Sequence, residues 1–340
     1  MPGLIGLIVW WMSQSAPIPA GPFRVVDAHA SGLTTGQLRN RSLAAPIRGV
    51  RMPADGDLAM RCRAIGLHLP DDAAFSHSTA ATLWGLPLPR DADPRDADPR
   101  RTDLVPLVHV IGPQGFPPID ALATASHQGV RADEIVSARG LPLTTVARTW
   151  ADCGAVLDNI DLLILTDAVL ALRYPPTSRS ELADALARSA GQRGCKALRR
   201  ALELSRHFVD SPMETRTRLQ LIASGFPCPL VGADLFDDRG CWIARPDLCW
   251  PALRIAIEYD GEHHRTDRYQ YAKDIHRKEA MEDLRWRSLV LLSDDVLRRW
   301  AITAARLRDI FASRGVADPA TLPDEPDHLT RPRLTTARGH

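Results

Sequence analysis

The chain has 340 residues, of which 45% are apolar and 24% charged, and its formal net charge is +1. That length suits about two domains, and the composition excludes a collagen-like or wholly disordered chain. The near-neutral balance excludes a strongly basic nucleic-acid binder, so any contact with nucleic acid has to come from a local patch. The six cysteines include no C-x-x-C pair. They therefore suggest neither a zinc motif nor a compact disulfide framework, and a reducing cytoplasm is the expected setting.

The apolar run Gly3 to Met12 is too short to cross a bilayer and lacks the basic leader of a secretory signal. It reads as a short buried segment or as the product of a misplaced start codon, and no membrane partner is expected. Residues 1–55 carry Gly32-Leu33-Thr34-Thr35-Gly36-Gln37-Leu38-Arg39 and then Arg48-Gly49-Val50-Arg51-Met52-Pro53. These read as a short helix and a strand, as in a small winged helix. Residues 56–208 read as a mainly helical α+β domain. Helices are expected over Ala59 to Leu67, His77 to Trp84 with Ser76 as N-cap, Thr145 to Cys153, Asp161 to Arg173, Ser180 to Ala190 and Cys195 to Phe208. Leu104 to Ile111 reads as a strand. The charged, proline-bearing tandem copy from Arg90 to Arg100 reads as a solvated loop. Ser178 with Glu181 forms a capping-box pattern. Lys196, Arg199 and Arg200 give the last helix a basic run, read as a solvated face or a nucleic-acid contact.

Residues 209–312 carry the candidate chemistry. A helix begins at Ser211-Pro212 and ends before Gly225. Strands follow over Leu230 to Phe236, Trp242 to Trp250 and Arg254 to Asp260. Next come a helix from Arg268 to Leu284, a strand from Trp286 to Leu292 and a closing helix from Ser293 to Phe311. Side chains alternate along a strand, so Arg254, Ala256, Glu258 and Asp260 share one face, and Ile255, Ile257 and Tyr259 the other. A tight turn over Trp250 to Leu253 pairs Cys249 with Arg254 and Asp247 with Ala256, which sets Asp247 diagonally across from Glu258. Acids gathered on one face repel and raise each other's pKa, an arrangement suited to a hard cation such as Mg²⁺, with Mn²⁺ as a substitute. The competing reading pairs the acids with Arg245, Arg254 and Arg265. Lys273, His276 and Arg277 share a helix face that could receive a phosphate backbone, or that is simply solvated. Glu214 is a further candidate ligand, though Ser211-x-x-Glu214 also reads as a capping box. His263 and His264 follow the acids as turn histidines, ligands or acid–base groups. Residues 313–340, rich in Pro, Asp, Arg and Thr, read as a disordered tail.

Arg245-Pro246-Asp247-Leu248, Ile257-Glu258-Tyr259-Asp260-Gly261-Glu262-His263-His264 and Asp274-Ile275-x-Arg277 together resemble the PD-(D/E)XK superfamily. Within it they resemble the endonuclease domains of the very-short-patch-repair type. The resemblance implies an α/β (α+β) fold with a mixed sheet flanked by helices, and Mg²⁺-dependent hydrolysis of DNA. It also implies Asp247 and Glu258 as metal ligands, with Asp260 and His264 as further active-site groups. The lysine of the superfamily is replaced here by Asp260, so Lys273, Arg277 or His264 would have to substitute. Gly32 to Arg39, Arg48-Gly49-Val50, Ser76 to Leu86 and Gly140 to Thr149 resemble antitoxin-type regulators of the AbiEi kind. That second resemblance implies DNA binding and, as an alternative function, a non-catalytic regulator or a toxin–antitoxin component with a protein partner. His77 with Thr79 could pass for a catalytic pair, but nothing nearby in sequence completes a triad, and capping and packing account for both.

Overall fold

A computed structural model describes residues 16–89, 92–94, 108–121, 123–171, 177–237, 239–260, 277, 279–328 and 330–335. The apolar run Gly3 to Met12, most of the tandem copy from Arg90 to Arg100 and the first part of the helix expected from Arg268 lie outside them. The fold is α+β. It forms two compact units, Met1–Leu157 and Asp158–His340. The sequence places a boundary at residue 208, but the helices from Asn159 onward lie with the second unit. None of the described helices is long and apolar enough to cross a membrane.

The first unit opens with a small antiparallel sheet of β1 (Phe23–Arg24), β2 (Leu43–Ala44) and β3 (Val50–Pro53), in the order β1-β3-β2. Between β1 and β2 lie α1 (Val25–Ala30) and α2 (Thr35–Leu38), the latter capped by a reciprocal Thr34–Gln37 box. Asp57 caps α3 (Leu58–Gly66) by accepting from the Met60 N–H at 2.7 Å. A five-stranded sheet then runs in the order β6-β5-β4-β8-β7. Its strands are β4 (Ala74–Phe75), β5 (Val108–Gly112), β6 (Thr124–Gln128), β7 (Ile135–Ala138) and β8 (Leu141–Thr144). Only β5 of this sheet is legible in the sequence; the described part of residues 56–208 is mainly helical α+β as expected, with the sheet as its β portion. Phe75, Val108, Val110, Leu141 and Leu143 form the core of one face. Ser76 precedes α4 (His77–Trp84) but does not cap it through its side chain; its hydroxyl instead lies 2.9 Å from His77 Nδ1. Thr145 caps α5 (Val146–Cys153).

The second unit begins with α6 (Asn159–Ala171), α7 (Arg179–Arg188) and α8 (Cys195–Leu204). Ser178 and Glu181 form the expected reciprocal box on α7. Lys196, Arg199 and Arg200 are exposed on α8. After α9 (Pro212–Ala223), the stretch read as one strand over Leu230 to Phe236 divides into β9 (Leu230–Val231) and β10 (Asp234–Phe236). The break is Gly232, whose φ of +56° takes it out of extended backbone. Trp242 to Trp250 divides in the same way into β11 (Trp242–Ala244) and β12 (Leu248–Trp250), on either side of Pro246, which has no N–H for a ladder.

The pieces build two sheets. One runs β14-β13-β12-β9, with β13 (Ile255–Tyr259) antiparallel to β12 and parallel to β14 (Arg287–Leu291). The other runs β11-β10-β15. Strand β15 (Arg333–Thr335) pairs in parallel with β10, which corrects the reading of the C-terminal stretch as disordered over its described part. The closing helix is also two helices, α10 (Ser293–Leu297) and α11 (Trp300–Ser313). The four-stranded sheet buries Leu248, Trp250, Ile255, Ile257, Leu289 and Leu291 in a core shared with Leu221, Leu307 and Phe311. Its other face buries Cys249 and Ala256 with Met281, Leu284 and Trp286. The face assignment made for Ile255, Ile257 and Ala256 is therefore the one observed.

Candidate functional site

The β12–β13 hairpin sets the position of the acids. Observed partners are Cys249 with Ala256 and Leu248 with Ile257, two residues away from the register expected from a tight turn. The connection is longer than that turn: a 3₁₀ turn over Pro251–Leu253 followed by Arg254 in left-handed backbone, φ +52°. A shift of one residue would have moved Asp247 to the opposite face. A shift of two keeps the face, and continuing the ladder by one residue brings Asp247 directly opposite Glu258.

Asp247 sits just before β12. Its Oδ2 accepts the Tyr259 N–H at 2.6 Å, and its carbonyl accepts the Gly232 N–H at 2.9 Å. Gly232 is itself a close approach. A Cβ there would meet the Phe208 carbonyl oxygen at 2.8 Å and Arg331 Nη1 at 2.9 Å, while Arg331 Nη1 also donates to the Gly232 carbonyl at 2.8 Å. Gly232→Ala should therefore cost about 1–3 kcal/mol through strained backbone and forced displacement. That is a fall of several degrees in the melting temperature of this unit, measurable by calorimetry; an unchanged melting temperature would refute the close approach.

Glu214 reaches the same region from the first turn of α9. Ser211 Oγ accepts the Glu214 N–H at 3.2 Å, and Glu214 Oε2 accepts the Asp210 N–H at 2.9 Å. The expected capping box is thus offset by one residue on its return bond. Glu214 is 6% exposed. Burial, then repulsion from Asp247, pushes its carboxyl up to about 8. Burial also pushes Asp247 up to about 6, aided by repulsion from Glu258 and opposed by the Tyr259 N–H. Glu258 is held at 2.7 Å by Arg277 Nη2. This is the one expected helix cation placed at the acids among the described residues, and it pairs with a carboxylate. Asp260 follows β13, is partly buried, and donates its N–H to the Leu291 carbonyl at 2.9 Å. Of the structural pairings weighed from sequence, Arg245 pairs with Asp234 at 2.8 Å, and Arg254 Nη1 donates to the Leu284 carbonyl at 3.0 Å. His263, His264, Arg265, Lys273 and His276 lie outside the described residues.

The donor set is all carboxylate oxygen, which suits a hard cation. Glu214, Asp247 and Glu258 do not all bring an oxygen within 4.8 Å of one another. A magnesium ion needs only one or two carboxylates beside water and phosphate, so Asp247 and Glu258, opposite each other on the hairpin, are the pair that fits it. Glu214 then acts on Asp247 across the site.

No protein-family model matches the chain, and no solved structure matches it. Two uncharacterized proteins, from two strains of Mycobacterium tuberculosis, are each similar to it, 28% identical over 272 residues. The match covers 80% of this chain and 93% of theirs, a stretch longer than either compact unit, so it takes in parts of both.

Proposed function

We propose that the second unit is a Mg²⁺-dependent endodeoxyribonuclease. The observation that carries this reading is the placing of Asp247 opposite Glu258 on the β12–β13 hairpin, with Glu214 near enough that burial and repulsion between neighbouring acids raise the Glu214 and Asp247 carboxyls above the ordinary carboxylate range. Such an arrangement destabilises the ionised chain by itself and is relieved by a cation. Asp247 and Glu258 are the ligands in this reading, with Mn²⁺ able to replace Mg²⁺. When bound, the metal supplies Lewis-acid polarisation of a phosphodiester and a more acidic water. The chain's own part is positional. The Tyr259 N–H fixes the Asp247 carboxylate, and Gly232 fixes its backbone. With a cation held by the two carboxylates, Arg277, which pairs with Glu258 at 2.7 Å, would be able to turn its guanidinium to the phosphate, a bidentate task that suits arginine. It thereby takes over part of the role of the lysine that Asp260 replaces.

A second reading is favoured by the same ion pair. Arg277 on Glu258 supplies a built-in cation where a metal ligand is needed, which suits a DNA-binding regulator that keeps the fold as a scaffold. Supercoiled plasmid incubated with Mg²⁺, Mn²⁺ or EDTA separates the two. The nuclease reading expects metal-dependent nicking that falls at least ~100-fold in Asp247→Ala, the scale seen when transition-state electrostatics are removed. Intact plasmid under all three conditions, with DNA still bound in EDTA, would establish the regulator instead.

A further inference from the structure

The first unit carries a second cluster that the carboxylate site does not use. Strands β4, β5 and β6 are neighbours in the five-stranded sheet. His109 lies on β5, His127 on β6, and His77 directly after β4 and Ser76. In the parallel β5–β6 ladder His127 is opposite Ile111, and Ile111 shares a face with His109 by the two-residue alternation of a strand. The Ser76 N–H donates to the His109 carbonyl at 3.0 Å, continuing the β4–β5 pairing, and so brings His77 to the same place. The His109 N–H donates to Thr79 Oγ1 at 2.9 Å, which accounts for Thr79 as a positioning residue and not as half of a catalytic pair with His77.

The result is one ring nitrogen from each of His77, His109 and His127, all within 4.8 Å of one another. His109 Nδ1 and His127 Nε2 are 2.9 Å apart. The three rings stack with centroids 3.9–5.2 Å apart and planes inclined by 19–23°. From the geometry we infer that His77, His109 and His127 form a binding site for a divalent transition metal of the zinc class, with a fourth position open to water or a ligand. Two nitrogens on a tetrahedral zinc sit about 3.3 Å apart at Zn–N distances of about 2.0–2.1 Å. The His109–His127 edge therefore needs to open by a few tenths of an ångström, while the other two edges lie within 4.8 Å, and the soft χ2 of histidine lets the rings adjust.

Two further observations favour ligands over packing, and imidazole is itself a common donor for zinc and its neighbours. The Ser76 hydroxyl, 2.9 Å from His77 Nδ1, is an outer partner of the kind that fixes the tautomer of a ligating histidine. With Ser76 accepting from Nδ1–H, Nε2 keeps the lone pair. His77 is also held at φ +50°, a left-handed backbone that non-glycine residues seldom adopt and that gathers at functional sites. No carboxylate or thiolate among the described residues joins the group, which separates this site in chemistry from the all-oxygen site of the second unit.

The test uses the full chain carrying Asp247→Ala, so that the carboxylate site cannot contribute, stripped with chelator and titrated with Zn²⁺ and with Co²⁺. One ion per chain is expected, with a visible d–d absorption for Co²⁺. His109→Ala and His127→Ala should each weaken binding at least about 100-fold, the upper end for loss of even an outer-shell partner. Far-UV circular dichroism checks folding, and long-range ¹H–¹⁵N spectra of the unsubstituted histidine cluster supply a readout that needs no variant. Zinc should move the ring resonances of His77, His109 and His127 and leave His68 in place. No bound ion, or an ion whose binding moves none of those three rings, would overturn the proposal. Either result is independent of whether the second unit cuts DNA.

Discussion

Arg218→Ala is expected to cost the second unit about 3–5 kcal/mol of stability, the usual loss when one partner of a buried ion pair is removed. Arg218 and Asp167 are both fully buried, with Arg218 Nη2 at 2.7 Å from Asp167 Oδ2. Arg218 Nη1 donates to the Leu204 carbonyl at 2.8 Å. Asp167 also accepts from Thr215 Oγ1 and from the Arg206 N–H, both at 2.8 Å. One carboxylate thus ties α6 to α9 and to the chain leaving α8, which is why these helices belong to the same compact unit as the acid site. Burial still raises the Asp167 carboxyl despite the guanidinium beside it, so the pair is a specifying feature more than a stabilising one. Two measurements follow, both by urea unfolding followed through tryptophan fluorescence. Arg218→Ala should shift the transition of this unit far to lower urea, and Asp167→Leu with Arg218→Met together should recover part of the loss by removing the uncompensated charge, the remainder being the bonds to Arg206, Thr215 and Leu204. A loss under about 1 kcal/mol in the single variant would mean that water reaches the abandoned carboxylate.

That ion pair is not legible in the sequence, and the reason is general. Asp167 sits in a helix whose neighbours are nearly all apolar, and Arg218 in one with mixed faces, so neither position advertises a partner at long sequence separation. Local signals are legible. Ser178 with Glu181 caps α7 as expected, and Ser211 caps α9. The alternation over Ile255–Tyr259 gives the correct buried face because period two survives any even error in register. The actual register escapes the sequence because it depends on Arg254 accepting left-handed backbone, which nothing in its residue type announces. Gly232 and Pro246 carry the signal that divides each long apolar run into two short strands, and hydrophobicity outweighs that signal. The histidine cluster is invisible for another reason. Two of its members lie on neighbouring strands and His77 just beyond the end of a third, and of these strands only β5 is recognisable, so His77 can be judged only against its sequence neighbours.

Stability in EDTA should fall as pH rises from about 4 to about 8, and the acid site is the cause. The sign follows from where the protons are held. Glu214 titrates near 8 in the fold against an ordinary value of 4.5, and Asp247 near 6 against 3.8. Below about pH 4 both states carry these protons and the two groups contribute no slope. Above it the unfolded chain releases them first while the fold retains them, so rising pH favours unfolding until the folded groups titrate in turn. Each tenfold difference in proton affinity between fold and unfolded chain is worth about 1.4 kcal/mol. Shared within a coupled pair, the fall is on the order of 2–4 kcal/mol. Glu214→Gln and Asp247→Asn keep an oxygen to accept the Asp210 and Tyr259 N–H groups but remove the charge. Each variant should be more stable than the parent chain at about pH 8.5 in EDTA and show a flatter pH profile, as expected where a site trades stability for function. Added Mg²⁺ should restore the parent chain at that pH by about 2.7 kcal/mol at a hundredfold excess over its dissociation constant, and should leave Asp247→Asn nearly unchanged. Variants with the parent's pH slope would show that these carboxyls are not the source of it. A parent chain indifferent to Mg²⁺ at pH 8.5, with the slope present, would leave the strained acids in place but remove the cation that justifies them, and would shift the balance to Arg277 as their permanent partner.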